Sequence, residues 1–354
     1  MLLYVHVPFC RSRCRYCSFY SELVGEDRME LYLDGLLKEI SLHHERLGDL
    51  KIDTLFFGGG TPSLLPANYL QMIVSTLDQV FTLDSRAEFT MEGNPESLGN
   101  PEYLRDIHGI GVNRLSMGVQ SLDDEMLRFL GRKHTAKEAI VAYSNARNMG
   151  FSNINLDLIW GVPTQRINTY MRELKTIVSL KPDHLSCYGL TIETGTPLEK
   201  MCLDGLVTLP DEKELGRMFV YGTEYLESRG YLQYEVSNYA KIGFQCRHNT
   251  GYWDGEEYLG LGPSSVSTIQ GRRWDNPADL ESWLEACEKR EIGREVEELG
   301  SGDIIRERVM LSLRTSLGLR LKEYRELTGR NFTKDFEPLV TALRQKDLIR
   351  IRDG

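Results

Sequence analysis

Two hydrophobic patterns alternate from Leu2 to about Ser267. In one, apolar residues form short, nearly continuous runs bounded by polar or glycine-rich segments. In the other, they return every three or four positions. The first predicts strands at Leu2–Val7, Thr54–Phe57, Glu88–Glu92, Arg114–Gly118, Asn153–Ile159, His184–Leu190 and Tyr231–Val236. The second predicts helices over Arg28–Arg46, Ala67–Phe81, Pro101–Ile107, Ala136–Met149 and Thr169–Leu180. Pro101 suits a first helical turn, and Gly150 suits the position just past a helix end. Several strand runs lack polar alternation, as expected of parallel strands covered on both faces. A β-α-β-α order over roughly 200 residues predicts parallel α/β, most simply a full or partial (β/α) barrel.

The polar residues then acquire a place. Gly58-Gly59-Gly60-Thr61-Pro62, Glu92-Gly93-Asn94-Pro95, Gly118-Val119-Gln120-Ser121 and Asp157-Leu158-Ile159-Trp160-Gly161-Val162-Pro163 all lie at the ends of predicted strands. In a (β/α) barrel those ends form one rim, which carries the active site. The core is expected over 1–268, with a connecting helical region over 269–300. The tail, 301–354, reads differently. Helices are expected at Asp303–Thr315, Leu321–Thr328 and Phe336–Lys346, then a strand at Leu348–Arg352 and a hairpin turn at Asp353-Gly354. This order is that of a small winged-helix-like α+β domain, with the wing expected to be incomplete.

Composition adds limits. Hydrophobic residues make up 41% of the chain and charged residues 27%, which suits a globular protein. The net charge of −10 argues against general nucleic-acid binding. No apolar run reaches membrane-spanning length, and the start lacks the features of a signal peptide. The chain has seven cysteines. Three of them, Cys10, Cys14 and Cys17, crowd together just after the first strand. A zinc site usually takes four ligands, often as two pairs, and no second pair lies nearby. Three thiolates hold three irons of a [4Fe–4S] cluster and leave the fourth open to a ligand. Cys187, Cys202, Cys246 and Cys287 are scattered and read as free buried thiols. Both readings point to a reducing, cytoplasmic setting. His43-His44, Arg272-Arg273 and Glu295–Glu298 read as solvated surface groups, and His134 has no assigned role.

Cys10-Arg-Ser-Arg-Cys14-Arg-Tyr16-Cys17, with an aromatic residue before the third cysteine, resembles the CxxxCxxC loop of radical S-adenosylmethionine (SAM) proteins. The flank Tyr4-Val-His-Val-Pro-Phe-Cys10 resembles the oxygen-independent coproporphyrinogen III oxidase-like family, over nearly the whole chain. The resemblance implies a partial-barrel radical-SAM core with Cys10, Cys14 and Cys17 on a [4Fe–4S] cluster. It places SAM contacts at Tyr4, Tyr16, Gly59, Gly60, Thr61, Glu92, Gln120, Arg132 and Asp157, and more loosely at Gly189 and Val266. In that scheme Glu92 pairs with an ammonium, Arg132 with a carboxylate, and Asp157 with ribose hydroxyls or nearby polar atoms. Each could instead be an ordinary loop or surface group.

Two departures bear on function. The oxidase carries another cysteine two residues after the third, where this chain has Phe19. The position of Cys10 is also read as leaving no room for the oxidase's long N-terminal extension. His248-Asn249-Thr250-Gly251-Tyr252-Trp253 resembles the HNxxYW motif of the heme chaperone (HemW-like) branch. That likeness implies heme contacts at His248, Asn249, Tyr252 and Trp253, with Cys246 as a second possible iron ligand. Residue chemistry alone offers a plainer reading, in which His248 and Asn249 fix a loop and Tyr252 and Trp253 pack a barrel end. The resemblance implies a carrier of heme to recipient apoproteins, among them respiratory enzymes at the membrane, with a homodimer open. The alternatives are porphyrinogen decarboxylation and radical-SAM methyl transfer.

Overall fold

In the first strand, β1 (Leu2–Val7), Leu3, Val5 and Val7 are buried in the main apolar core. Tyr4 and His6 alternate with them and face the other side of the sheet. The computed structural model describes residues 1–293 and 296–352. Next to β1 lie β2 (Lys51–Gly59), β3 (Thr82–Gly93), β4 (Arg114–Gln120), β5 (Ile154–Trp160) and β6 (His184–Gly189). They follow one another in chain order and run parallel throughout. Helices α1 (Glu26–Leu47), α2 (Ala67–Val80), α3 (Pro101–Ile110), α4 (Ala136–Asn148) and α5 (Ile167–Ser179) return the chain between them. A sixth, α6 (Glu212–Ser228), follows β6. Parallel pairing sends every C-terminal strand end to one rim, so the loops singled out in the sequence share one face.

The sheet continues past both ends of this series. On the far edge, β7 (Asn238–Ala240) pairs antiparallel with β6. Beside β1, β8 (Tyr258–Leu261) pairs parallel in the register Leu2 to Tyr258. Antiparallel strands β9 (Val266–Ile269) and β10 (Arg272–Asp275) extend that side. The described strands form an open sheet, a partial barrel. The strand expected at Tyr231–Val236 shrinks to Leu232–Gln233, and Glu235 instead bridges Thr315.

The pattern did not predict β8, whose few residues are interrupted by glycine. Gly262, just beyond it, explains how it docks. Its φ is +89°, and a Cβ there would lie 2.5 Å from the His6 carbonyl oxygen. Only glycine lets the chain pass so close to β1.

A buried carboxylate fastens this side to α1. Glu39 accepts hydrogen bonds from Gly262 N (2.7 Å), Asn276 Nδ2 (2.5 Å) and Trp283 Nε1 (3.2 Å). His43, expected on a solvated face, is instead buried one turn along, 3.6 Å from Glu39 and stacked on Trp274. The reason is tertiary: Trp274 of β10 and the helix Leu280–Glu288 cover the side of α1 that carries both residues. Arg272 and Arg273 pair with Glu298 and Glu307. Glu295 of the expected acidic face lies outside the described residues.

The tail is helical, over Ser301–Ser312, Leu321–Thr328, Phe332–Asp335 and Glu337–Gln345. The strand expected at Leu348–Arg352 is not formed. Its apolar alternation is right for a strand, but a strand needs a ladder partner, and no described strand lies beside it. The expected turn at Asp353-Gly354 lies outside the described residues. Among the described residues no helix is long and apolar enough to cross a membrane.

Replacing Glu39 tests the fastening. Glu39→Ala leaves the buried Gly262 N–H and Trp283 Nε1–H without an acceptor, while Asn276 Nδ2 keeps Gly262 O and Ser265 Oγ, and should lower unfolding stability by roughly 2–4 kcal/mol. Urea denaturation followed by Trp fluorescence measures it. An unchanged midpoint would show that the carboxylate is dispensable.

Candidate functional site

Past the end of β1 the chain runs straight into the cysteine loop. That loop stays pressed against the glycine run after β2. Gly60 N donates to Val7 O and Thr61 N to Phe9 O, both at 2.8 Å, continuing the strand pairing beyond the strands. A Cβ on Gly60 would lie 2.7 Å from the Phe9 carbonyl, so this approach also requires glycine. The loops enclose a cavity of about 880 Å³.

Cys10, Cys14, Tyr16 and Cys17 line one wall, and Gly59, Gly60 and Thr61 line the next. Glu92 on β3, Gln120 at the end of β4, Arg132, Asp157 on β5 and Gly189 at the end of β6 complete it. Tyr4 and Val266 do not line the cavity. Tyr4 sits lower in the barrel, mid-strand, with its hydroxyl 3.1 Å from His6 Nδ1 and its ring against Phe56. Val266 lies on β9, where it pairs with Asp275. Gln120 has φ of +65° where the β4–β5 register shifts, a strained backbone at the cavity edge.

Two of the thiols are joined through side chains. Arg132 Nη1 lies 3.5 Å from Cys14 Sγ, and its Nη2 donates to Gly118 O and Asn94 Oδ1. Asn94 Nδ2 donates to Thr61 Oγ1, which is 3.6 Å from Cys10 Sγ. Asn94 thus braces the loop, a role its residue type did not announce although it falls in a loop the sequence picked out. Ser116 and Tyr188 also line the cavity without having been anticipated. Each faces inward only because of strand register, which no local pattern encodes.

The electrostatics favour a cationic ligand. Burial, then the neighbouring Asp157, pushes the Glu92 carboxyl up to about 8, against the opposing pull of the Gly59 N–H. Burial also raises Asp157, opposed by hydrogen bonds from Asn155 and Ser186. Burial raises Cys17, and Cys14 and Cys10 add to the effect. The three thiols are free and half-buried. Among the described residues no three His, Cys, Asp or Glu groups converge on a single-metal position. A four-iron cluster does not require that, because each thiolate binds a different iron.

Residues 4–177 match the Radical SAM superfamily, and 301–354 match the HemN C-terminal domain. The chain is 33% identical to the heme chaperone HemW of Bacillus subtilis over 348 residues, 98% of this chain and 92% of that one. It is 39% identical to HemW of Escherichia coli over 261 residues, 73% and 68% of the two chains. The chain belongs to the HemW family. Coproporphyrinogen III oxidase (HemN) from Escherichia coli superposes with a TM-score of 0.85 at 24% identity, over 99% of this chain and 84% of that one, a likeness of fold. The superfamily implies SAM and [4Fe–4S] chemistry for this HemW-family chain.

The HNxxYW stretch lies elsewhere. It forms α7 (Arg247–Trp253), which closes the barrel from below. Glu88 on β3 accepts from the N–H groups of Arg247 (3.0 Å) and His248 (3.1 Å) and from the Cys246 thiol (3.4 Å), anchoring the first turn. His248 is 1% exposed, bonded to Thr54 Oγ1 at 2.7 Å and stacked on Phe56 at 4.8 Å. Burial, then Arg114, lowers its pKa to about 3, so the ring stays neutral. Its Nε2 is buried and has no hydrogen-bond partner in the protein. Asn249, Tyr252 and Trp253 are half-buried, and Trp253 meets Arg314. The His248 ring thus faces packed side chains, while Asn249, Tyr252 and Trp253 keep part of their surface exposed. Cys246 is buried and donates to Glu88, and burial pushes its pKa up to about 12.

Glu92 gives a pH test. Its folded pKa of about 8 lies above the ordinary 4.5. Below 4.5 both states are protonated and the contribution to stability is fully present. As pH rises towards 8 the unfolded chain ionises first, and that stability is lost. Ligand-free Glu92→Gln should melt several degrees above the parent at pH 8 and level with it near pH 4.5, by scanning fluorimetry. Parallel pH profiles would mean that Glu92 ionises normally.

Proposed function

We propose that this HemW-family protein holds a [4Fe–4S] cluster and SAM in the rim cavity and carries heme to recipient proteins. The observation that carries the first half is the cavity itself, which gathers three free thiols and two charge-starved carboxylates. The donors fit. Thiols are the ligands of iron–sulfur clusters, and a neutral buried Glu92 is poised to ionise against a cation. Cys10, Cys14 and Cys17 would hold the cluster, leaving one iron for the SAM amino and carboxylate groups. Reduced, such a cluster supplies one electron to cleave a sulfonium C–S bond.

The chain's own residues bind and orient. Glu92 faces the ligand ammonium, and Gly59 and Gly60 admit the ligand close to the backbone. Asp157 accepts from ribose hydroxyls or nearby donors. Arg132 already bonds Gly118 and Asn94, which leaves part of its guanidinium for a carboxylate. Tyr4 would act from beneath through His6 and Phe56, and Val266 through the strand it belongs to.

The second half rests on the relatives, which are named heme chaperones, and on Phe19 where the oxidase has a cysteine. In this reading the cluster governs homodimer formation or heme release in place of substrate turnover. The recipients are heme-requiring apoproteins, including respiratory enzymes at the membrane. The setting is cytoplasmic, which suits seven unpaired cysteines.

The test is anaerobic. Cluster-reconstituted protein should bind heme saturably by absorption spectroscopy and pass it to an apoprotein acceptor. With SAM and a reductant it should yield neither protoporphyrinogen from coproporphyrinogen III nor a methylated product by mass spectrometry. Either product would favour an enzyme. Replacing Cys10, Cys14 and Cys17 with Ala should abolish the cluster's visible absorption, and retention of that absorption would assign it to other ligands.

A further inference from the structure

The Cys10–Cys17 loop carries three arginines, Arg11, Arg13 and Arg15, all exposed, in a chain of net charge −10. Among the described residues none of the three forms an ion pair with a carboxylate. Arg13 donates to the Ser21 carbonyl at 2.7 Å, and Arg15 donates to the Phe129 carbonyl and lies over its ring. Of the three, Arg13 lines the cavity beside Phe19, Arg11 lines a small adjoining pocket with Arg132, and Arg15 lies against Phe129.

Beside them stands an apolar group with no partner. Phe19 is 70% exposed and lines the same cavity as Arg13. Leu23 is 63% exposed and pairs in register with Cys10. Tyr188 and Leu190 line the cavity too, and so does the one carboxylate of the upper wall, Glu193. A cavity of about 880 Å³ lies near the top of the range for small-molecule sites, roughly 300–1,000 Å³. The mouth therefore offers an aromatic face, an apolar margin and the Arg13 cation together, with Arg11 and Arg15 on the same loop.

We infer that heme is received at this mouth, with its macrocycle against Phe19 and its propionates on the arginines of the cysteine loop, and not at His248. The inference rests on the heme-carrier reading. Heme is flat and apolar with two carboxylates at one edge, and both halves of that chemistry are matched here. The His248 ring, by contrast, is buried within α7 and wedged between Phe56 and Tyr252. An acidic protein partner would use the arginines but has no need of Phe19, so the two occupants separate by experiment. Heme seated there would lie over the cluster cavity, which places cargo and cluster within reach of each other.

The experiment is a heme titration on cluster-reconstituted protein with iron content matched across variants. Phe19→Ser should weaken binding about tenfold, the loss expected for one stacked aromatic contact. The combined Arg11→Gln, Arg13→Gln and Arg15→Gln variant should weaken it by a similar factor and flatten its dependence on salt. Heme dimethyl ester, whose propionates are blocked, should bind parent and triple variant alike. His248→Gln should bind heme as the parent does. Phe19 and the arginines are exposed, so these variants should keep the parental melting temperature. Parental affinity in both Phe19→Ser and the triple variant would overturn the site. So would loss of heme in a folded His248→Gln protein. Loss in the arginine variant alone, with Phe19→Ser unchanged, would reassign the collar to an acidic partner. If the parent binds no heme at all, the carrier reading itself fails, and this site with it.

Discussion

Everything at the rim depends on how closely the cysteine loop can lie against the glycine run. The β1–β2 ladder does not stop where the strands do. It continues through Gly60 N to Val7 O and Thr61 N to Phe9 O, and so dictates where Cys10 emerges. A side chain at residue 60 would collide with the Phe9 backbone, and one at residue 262 with His6 from the other side. β1 is thus held between two close backbone approaches, each possible only at glycine. The bracing of Cys14 through Arg132 and Asn94 follows, because it needs Thr61 and Cys10 already in place.

The second constraint is polarity along the barrel axis. Parallel strands send their ends to one face, so one end of the barrel is open and chemical. The other end must be closed, because polar groups such as Arg114, His184 and Glu88 point into the interior. α7 does the closing. Glu88 satisfies its first N–H groups, a negative charge where a helix favours one, and His248 fills the floor. The cavity therefore opens through the face that the cysteine loop surrounds, where Phe19 and Arg13 line it.

This division explains how an enzyme-like site suits a carrier. The lower cavity holds two buried carboxyls, Glu92 and Asp157, whose ionisation burial opposes. The mouth has lost a cysteine relative to the oxidase pattern and gained an exposed ring.

Much was legible in the sequence, and the limits are physical. The strand at Leu2–Val7 has the bounds that its apolar run predicted, and the other core strands and helices are displaced by a few residues at most of their ends. The cysteine loop and the glycine, Glu92, Gln120, Arg132 and Asp157 positions were chosen by local motif, and they do line one cavity. Periodicity and motif are local, and these features depend on neighbours in the chain. The rest depends on residues hundreds of positions apart. β8 becomes a strand only because β1 offers an edge. His43 is buried only because β10 covers α1, and Leu348–Arg352 stays irregular because nothing pairs with it. His248, which the family likeness marked for heme and its residue chemistry for packing, is buried at the floor of the barrel. The sequence by itself determined which residues could do chemistry. Tertiary structure decided which of them meet solvent, because burial is a property of what the rest of the chain lays over a side chain.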